Sequence, residues 1–85
     1  MKQIAETPPM GWNSWDCFGV SVTEQEVKDN ADFMAKHLKH LGWEYVVVDL
    51  CWFSPSAHKD SYKQPNIEQL IDAYGRLIPA PNKFP

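Results

Sequence analysis

The strongest hydrophobic pattern in this chain of 85 residues is helical and covers residues 24–41. Thr23 and Glu26 have the spacing of a capping box, in which each side chain bonds the other residue's backbone N–H. Gly42 follows as a typical residue after a helix C-terminus. Apolar residues recur at steps of four and three along one face of this stretch: Val27, Ala31, Met34, Leu38 and Leu41. The pattern predicts an amphipathic helix over about 24–41.

Two strand patterns flank this helix. In residues 10–15, MGWNSW, tryptophan alternates with polar residues after a proline, which predicts a short strand, and Gly11 indicates a close backbone approach. Residues 44–50, EYVVVDL, are β-branched on both faces, as in a parallel strand that is covered on both sides. The order strand, helix, strand predicts a βαβ unit. Since two strands and one helix enclose no core, we expect the segment to open a larger fold.

The remaining residues, 51–85, are mixed in polarity and predict a long loop. Around residues 72–75 the apolar flanks fit either a short hairpin or a helical turn followed by a bend. The last seven residues contain three prolines and carry no helix or strand signal.

Composition narrows the function. Eight basic and 11 acidic residues give a net charge of −3 without a basic cluster, so no nucleic-acid partner is expected. No apolar run approaches the roughly 18 residues of a membrane span and the N-terminus lacks the apolar region of a signal peptide, so we expect a cytoplasmic protein with no membrane partner. Cys17 and Cys51 lack a metal-knuckle spacing, so neither a metal nor a cofactor is predicted, and their simplest interpretation is two reduced, buried thiols.

Candidate chemistry lies where the two predicted strands end. Trp15 ends the first strand and Asp49 the second, with Trp52 just beyond. In barrels of alternating strands and helices, functional residues lie at these carboxyl ends. An aromatic ring beside a carboxylate suits a sugar, because the ring stacks on C–H groups and the carboxylate accepts hydrogen bonds from hydroxyls. Trp52 fits loop packing and site lining equally well, whereas Trp12 is expected in the wall of the fold.

Three blocks of this sequence resemble the α-galactosidases (melibiases) of glycoside hydrolase family 27. They are TPPMGWNSWD at 7–16, GWEYVVVDLCW at 42–52, and the pattern D-x-Y-G-R-L-x-P followed by K-F-P at 72–85. The resemblance implies an α/β fold in which residues 1–85 form the first two βα units of a (β/α)8 TIM barrel, truncated before the third strand. It also implies retaining hydrolysis of terminal α-galactosides by two aspartates on later strands. No catalytic residue is then expected in residues 1–85, which alone would be inactive.

The resemblance further implies that Trp15 lines the sugar pocket and that Asp49 binds sugar hydroxyls. Leu50 stands where the family commonly has a second aspartate, and losing an ionised acceptor removes a hydrogen bond worth about 1.5 to 3 kcal/mol. A pentopyranoside or another α-glycoside therefore stays open as the substrate. Cys51 matches a family cysteine whose usual partner position is Val20 here, which leaves a bridge between Cys17 and Cys51 as an alternative to free thiols.

A different class of function also fits the length. The chain could be a self-standing binding or interaction module of 85 residues without catalysis. The sequence specifies neither the physiological sugar nor the oligomeric state.

Overall fold

The computed structural model describes residue 4, residues 6–58 and residues 67–85. Within them the chain forms an α/β unit in which two parallel strands are joined through helices, as predicted. In the described part of residues 51–85 the chain forms turns and one β-bridge, with no helix or longer strand. The elements in chain order are β1 (Met10–Asn13), α1 (Trp15–Phe18), α2 (Glu24–His37), a 3-10 turn (Lys39–Leu41) and β2 (Trp43–Val47).

Helix α2 begins at Glu24, where the capping box predicted it. The Thr23 hydroxyl accepts the Glu26 N–H at 3.3 Å, and the Glu26 carboxylate accepts the Thr23 N–H at 2.9 Å. The α-helix ends at His37, four residues before the predicted end, because the chain tightens into the 3-10 turn and then reverses at Gly42, whose φ is 96°. Glycine tolerates this left-handed conformation, so the helix passes directly into β2.

The two strands approach each other closely at Gly11. It pairs with Tyr45, and a Cβ added to Gly11 would lie 2.7 Å from the Tyr45 Cβ and 2.8 Å from its carbonyl carbon. The preceding pair joins Met10 to Trp43, so Glu44 is an extra residue that forms a bulge in β2. The predicted close approach is confirmed.

Both strands are shorter than predicted. The ladder ends at the pair of Asn13 and Val47, because Ser14 turns into α1, a short helix that the pattern did not indicate. The Asp49 N–H then bonds the Ser14 side chain rather than a strand carbonyl. The prediction of strands over 10–15 and 44–50 was therefore wrong at their carboxyl ends.

Helix α2 packs along one side of β2 and leaves the strand largely uncovered. Met34 of the helix is buried, and it lines a groove with Ala31 and Val46. Tyr45 and Val47 nevertheless remain 54% and 46% exposed. Even Val46, which lines the groove against α2, is 37% exposed, so the described residues cover only part of one side of a strand whose composition is typical of burial on both.

The buried core lies beyond the carboxyl ends of the strands. Val20, Cys51 and Phe53 form a buried cluster, against which Trp15 and Trp52 pack. The residues nearest the predicted site therefore also supply the core.

Residues 70–83 bind the turn that follows β2 through three consecutive carbonyls. The Phe53 carbonyl accepts the Leu70 N–H at 3.1 Å, and the Trp52 carbonyl accepts the Ala80 N–H at 3.0 Å. The Cys51 carbonyl accepts a hydrogen bond from the Lys83 ammonium at 2.9 Å. Leu70 and two residues of the third block therefore hold the turn after β2 in place.

A small turn organises the middle of this block. Ile71 and Leu77 form an antiparallel bridge, which is the hairpin alternative. Between them, one Asp72 carboxylate oxygen accepts the N–H groups of Tyr74 and Arg76, and the other binds the Arg76 side chain at 2.7 Å. The hydrogen bond from the Arg76 backbone is the main reason that the pKa of Asp72 is lowered.

No helix in the described ranges has the length and apolar character to cross a membrane.

Candidate functional site

Trp15 stands at the carboxyl end of β1, as the first residue of α1. Its N–H donates to the Asn13 side-chain oxygen at 2.8 Å, which fixes the backbone at the turn from strand to helix. The Trp15 side chain is half-buried and packs against the cluster of Val20, Cys51 and Phe53. The cluster thus supports Trp15 on one side, and the residue is not fully buried.

Asp49 is held at the same edge by a contact between the two strand ends. Its N–H donates to the Ser14 Oγ at 2.8 Å, while the Ser14 N–H donates to the Val47 carbonyl at 3.1 Å. Since Trp15 follows Ser14 directly, the structure brings the backbones of Trp15 and Asp49 together. Their juxtaposition at one sheet edge is as expected.

One of the two oxygens of the Asp49 carboxylate already accepts a hydrogen bond within the chain. The residue is half-buried, and its Oδ1 accepts the Leu50 N–H at 2.7 Å. Among the described residues no hydrogen bond to Oδ2 is formed, so that oxygen remains able to accept. The next residue, Leu50, is 46% exposed and offers an apolar side chain to the surface.

Trp52 has a mixed environment. Its ring meets Phe53 edge-on, with centroids 5.5 Å apart, which is the packing role that the sequence allowed. It also lines a groove of about 340 Å³ with Val48 and Phe84, to which Trp15 and Asp49 do not contribute. In this groove Trp52 does not meet the other two residues, and its contact with a ligand stays a prediction.

Trp12 takes the structural place that was expected of it. Its ring meets Phe18 at 6.2 Å, and it lines a groove against Phe33 and Met34 of α2. It belongs to the packing between strand and helix.

Lys83 is the residue near the site that sequence reasoning missed. It is only 7% exposed, and its ammonium donates to the carbonyls of Val20 at 3.3 Å and Cys51 at 2.9 Å. Burial lowers the pKa of Lys83, and the nearby Cys51 partly opposes this. The ammonium ties the loop after α1 to the turn after β2, where Cys51 has the left-handed φ of 70°. The only sequence signal was its place in the K-F-P block, which does not distinguish a buried lysine from an exposed one.

The two cysteines are free thiols in different environments. Cys51 is buried, but Cys17 is exposed on the short helix α1, so the expectation of two buried thiols was wrong for Cys17. The alternative bridge between them is not formed. Val20, at the position of the family's partner cysteine, lies instead in the buried cluster with Cys51.

The different burial of the two cysteines predicts that the Cys51 thiol reacts more slowly with alkylating reagents than the Cys17 thiol. Burial raises the pKa of the Cys51 thiol against the opposing effect of Lys83, so Cys51 holds little of the reactive thiolate near neutral pH. In the native intact protein that contains residues 1–85, we expect iodoacetamide to leave Cys51 unmodified until denaturant is added. Peptide mapping by mass spectrometry measures this, with a Cys51→Ser variant to assign the peptide. Rapid native labelling of Cys51 would contradict its burial.

The described residues contain no group of three or more histidine, cysteine, aspartate or glutamate side chains placed to hold a metal ion. What the strand ends offer is an aromatic surface and a carboxylate.

Comparison with known proteins identifies the family. The melibiase family model described as alpha galactosidase A matches residues 7–84. Alpha-galactosidase 3 of Arabidopsis thaliana is 35% identical over 83 residues, which are 96% of this chain and 16% of that protein. The chain spans about a sixth of the length of the curated relatives it matches.

Two solved structures are more similar in sequence. A GH27 β-L-arabinopyranosidase variant from Geobacillus stearothermophilus, in complex with arabinose, is 60% identical with a TM-score of 0.87, over 94% of this chain and 18% of that one. A putative α-N-acetylgalactosaminidase from Bacillus halodurans is 56% identical with a TM-score of 0.78, over 93% and 18%. Because the family model covers nearly the whole chain and the structures agree, this chain belongs to the melibiase family, glycoside hydrolase family 27.

Proposed function

We propose that this chain forms the first two βα units of the barrel of a retaining glycoside hydrolase, in which Trp15 and Asp49 contact a terminal sugar of galactose-like ring configuration. One observation carries the proposal most directly: the hydrogen bond from the Asp49 N–H to Ser14 Oγ, which joins the two strand ends at one edge. Carboxyl ends of neighbouring strands form the active-site face of such barrels. The exposed β2 side chains of Tyr45 and Val47 fit a strand that further elements would cover.

The two side chains have complementary roles in this proposal. The Asp49 carboxylate accepts hydrogen bonds from sugar hydroxyls, and the Trp15 ring packs against sugar C–H groups. Hydrolysis with retention needs two more carboxyl groups about 5 to 5.5 Å apart, one as nucleophile and one as acid and base. The family resemblance assigns both to aspartates outside residues 1–85. This segment thus supplies binding contacts and no catalytic group.

Leu50 favours a pentopyranoside over an α-galactoside as the substrate. An α-D-galactopyranoside and a β-L-arabinopyranoside share the ring configuration and differ by the hydroxymethyl group on C5. A leucine offers no acceptor to the extra hydroxyl, whereas its apolar surface suits a sugar that lacks it. The 60% identical relative is a β-L-arabinopyranosidase, which supports the same choice.

Turnover by the intact protein that contains residues 1–85 tests the proposal. We expect it to hydrolyse an aryl β-L-arabinopyranoside with a higher kcat/KM than the matching aryl α-galactoside. Faster hydrolysis of the galactoside would return the assignment to the α-galactosidase expectation. The rival binding module predicts no turnover of either substrate by an intact protein that unfolds cooperatively, and that result would overturn the proposal.

The variant Leu50→Asp tests the basis of this preference. Introducing a charged acceptor worth about 1.5 to 3 kcal/mol should raise the ratio of kcat/KM for the galactoside over the arabinopyranoside by about 10- to 150-fold. Leu50→Ala is the control, because it removes the side-chain bulk without adding an acceptor. An unchanged ratio in Leu50→Asp, or an equal change in Leu50→Ala, would rule out hydrogen bonding at residue 50 as the discriminating feature.

A further inference from the structure

Ser14 continues the contact between the strands after the regular ladder has ended. The last ladder pair is Asn13 with Val47, and the Ser14 N–H still donates to the Val47 carbonyl at 3.1 Å. Two residues beyond the end of β2, the Asp49 N–H is not part of the ladder, and the Ser14 Oγ accepts it at 2.8 Å. The hydroxyl therefore takes the place of a main-chain acceptor.

The use of this hydroxyl differs from what its position in the chain suggests. Ser14 precedes α1 as its N-cap residue, where a serine side chain usually accepts an N–H from the first turn of its own helix. Here it makes no such hydrogen bond. The N–H of Trp15 is instead accepted by the side chain of Asn13. The two polar residues of the NSW sequence thus serve different strand ends: Asn13 holds Trp15, and Ser14 holds Asp49.

The surroundings make this contact specific. Ser14 has no exposed surface, so water does not compete for its hydroxyl. Asp49 is held twice, by Ser14 through its N–H and by the Leu50 N–H on its carboxylate. These two hydrogen bonds fix the backbone and one carboxylate oxygen at the point where the chain leaves the sheet.

We propose that Ser14 is a positioning residue for substrate binding, which sets the place of the Asp49 carboxylate relative to Trp15 through the Ser14–Asp49 hydrogen bond. This inference rests on the proposed function, because it assumes that Asp49 contacts the sugar. Without the hydroxyl, the partly buried Asp49 N–H loses its acceptor, and residues 48–50 shift to satisfy it elsewhere. The carboxylate then meets the sugar hydroxyls with poorer geometry.

The test compares Ser14→Ala with Ser54→Ala in the intact protein that contains residues 1–85. Ser54 is a matched control, because it is equally buried and its Oγ has no hydrogen-bond partner among the described residues. Ser14→Ala should speed hydrogen exchange at the Asp49 amide at least tenfold while the amides within β1 keep their rates. It should raise KM for the aryl glycoside about tenfold and change kcat less than threefold. Ser54→Ala should leave the exchange rate and KM unchanged.

Each outcome separates this inference from the proposed function. An unchanged exchange rate at the Asp49 amide in Ser14→Ala would contradict the hydrogen bond between Ser14 and Asp49 and overturn the inference, whatever the activity. Faster exchange with KM unchanged, or with equal losses in both variants, would reduce Ser14 to a structural role and overturn the inference. Absence of turnover in the unmodified protein would overturn the proposed function and with it the substrate role of Ser14. If Ser14→Ala does not fold, Ser14→Cys, which keeps a weak acceptor, is measured instead, and an intermediate rise in exchange and KM is expected.

Discussion

Replacing Gly11 by alanine should lower the free energy of unfolding of the intact protein that contains this segment by about 2 to 3 kcal/mol, because the new methyl group has no space. Its Cβ would lie 2.7 Å from the Tyr45 Cβ and 2.8 Å from the Tyr45 carbonyl carbon, and closer still to the carbonyl oxygen. These atoms belong to the paired strand and cannot rotate away. The strands must separate, which weakens the ladder that brings Ser14 to Asp49. Denaturant titration of the variant and of the unmodified protein measures the loss.

Gly75→Ala is the matched control for this prediction. Gly75 has a φ of 79°, but an added Cβ there would have no heavy atom within 4 Å from any described residue other than its chain neighbours. Its substitution should cost only the strain of a left-handed alanine, about 1 kcal/mol. Gly11 is not among the glycines with positive φ, so its requirement is for space and not for conformation. An equal or smaller loss for Gly11→Ala would refute the close approach of the strands.

Lys83→Met should destabilise the intact protein by about 2 kcal/mol, although it removes a buried charge. Methionine has a similar length but leaves the carbonyls of Val20 and Cys51 without the donor that they share. The Cys51 carbonyl still accepts the Ser54 N–H at 3.1 Å, but the Val20 carbonyl is left without a donor among the described residues. An unsatisfied buried carbonyl costs about 1 to 3 kcal/mol, and release from the cost of burying the ammonium offsets part of this. We expect the lost hydrogen bonds to outweigh that release, because the loops after α1 and β2 both depend on the ammonium.

Lys28→Met gives the control for that substitution. Lys28 is exposed and pairs with Glu24 one turn away at 3.3 Å, an arrangement that contributes only about 0.3 to 0.5 kcal/mol. The difference between the two variants therefore isolates the buried contacts. Equal thermal stability of Lys83→Met and the unmodified protein would contradict the role of Lys83 as a link between the loops.

The loss in Lys83→Met should also grow with alkaline pH. Burial lowers the pKa of Lys83 from its ordinary value of 10.5, so below 10.5 there is a range in which the unfolded state binds more protons than the folded state. In that range this group makes stability rise with pH, and the variant lacks the contribution. Cys51 acts in the opposite direction above 9.0, because burial raises the pKa of its thiol. The variant should therefore lose stability more steeply than the unmodified protein as the pH rises towards 10.5.

Local signals in the sequence were enough to predict helix α2. Its start depends on the reciprocal hydrogen bonds of Thr23 and Glu26, which lie three residues apart. Its apolar face follows from a period that neighbouring residues define by themselves. The close approach at Gly11 followed from a glycine within a predicted strand. The placement of the Trp15 and Asp49 backbones at one edge also followed, because parallel strands place their carboxyl ends at one edge.

The partners of individual polar side chains could not be predicted in the same way. A serine before a helix predicts a cap, but Ser14 bonds Asp49, which lies 35 residues away in the chain. A lysine is ordinarily exposed, but Lys83 is buried, and its ammonium donates to the carbonyls of Val20 and Cys51, which lie 63 and 32 residues away in the chain. Nothing in the sequence distinguishes Cys17 from Cys51. Only the folded chain exposes Cys17 on α1 and encloses Cys51 in the core.

The sequence by itself determined the order of strand, helix and strand, the family, and the residue types offered to a ligand at the strand ends. Tertiary structure decided where the strands stop, which side chains hold Asp49 and the turn at Cys51, and which thiol is buried. The physical reason is range: periodicity and capping act within a few residues, whereas a hydrogen bond such as that between Ser14 and Asp49 forms only after folding has joined distant parts of the chain.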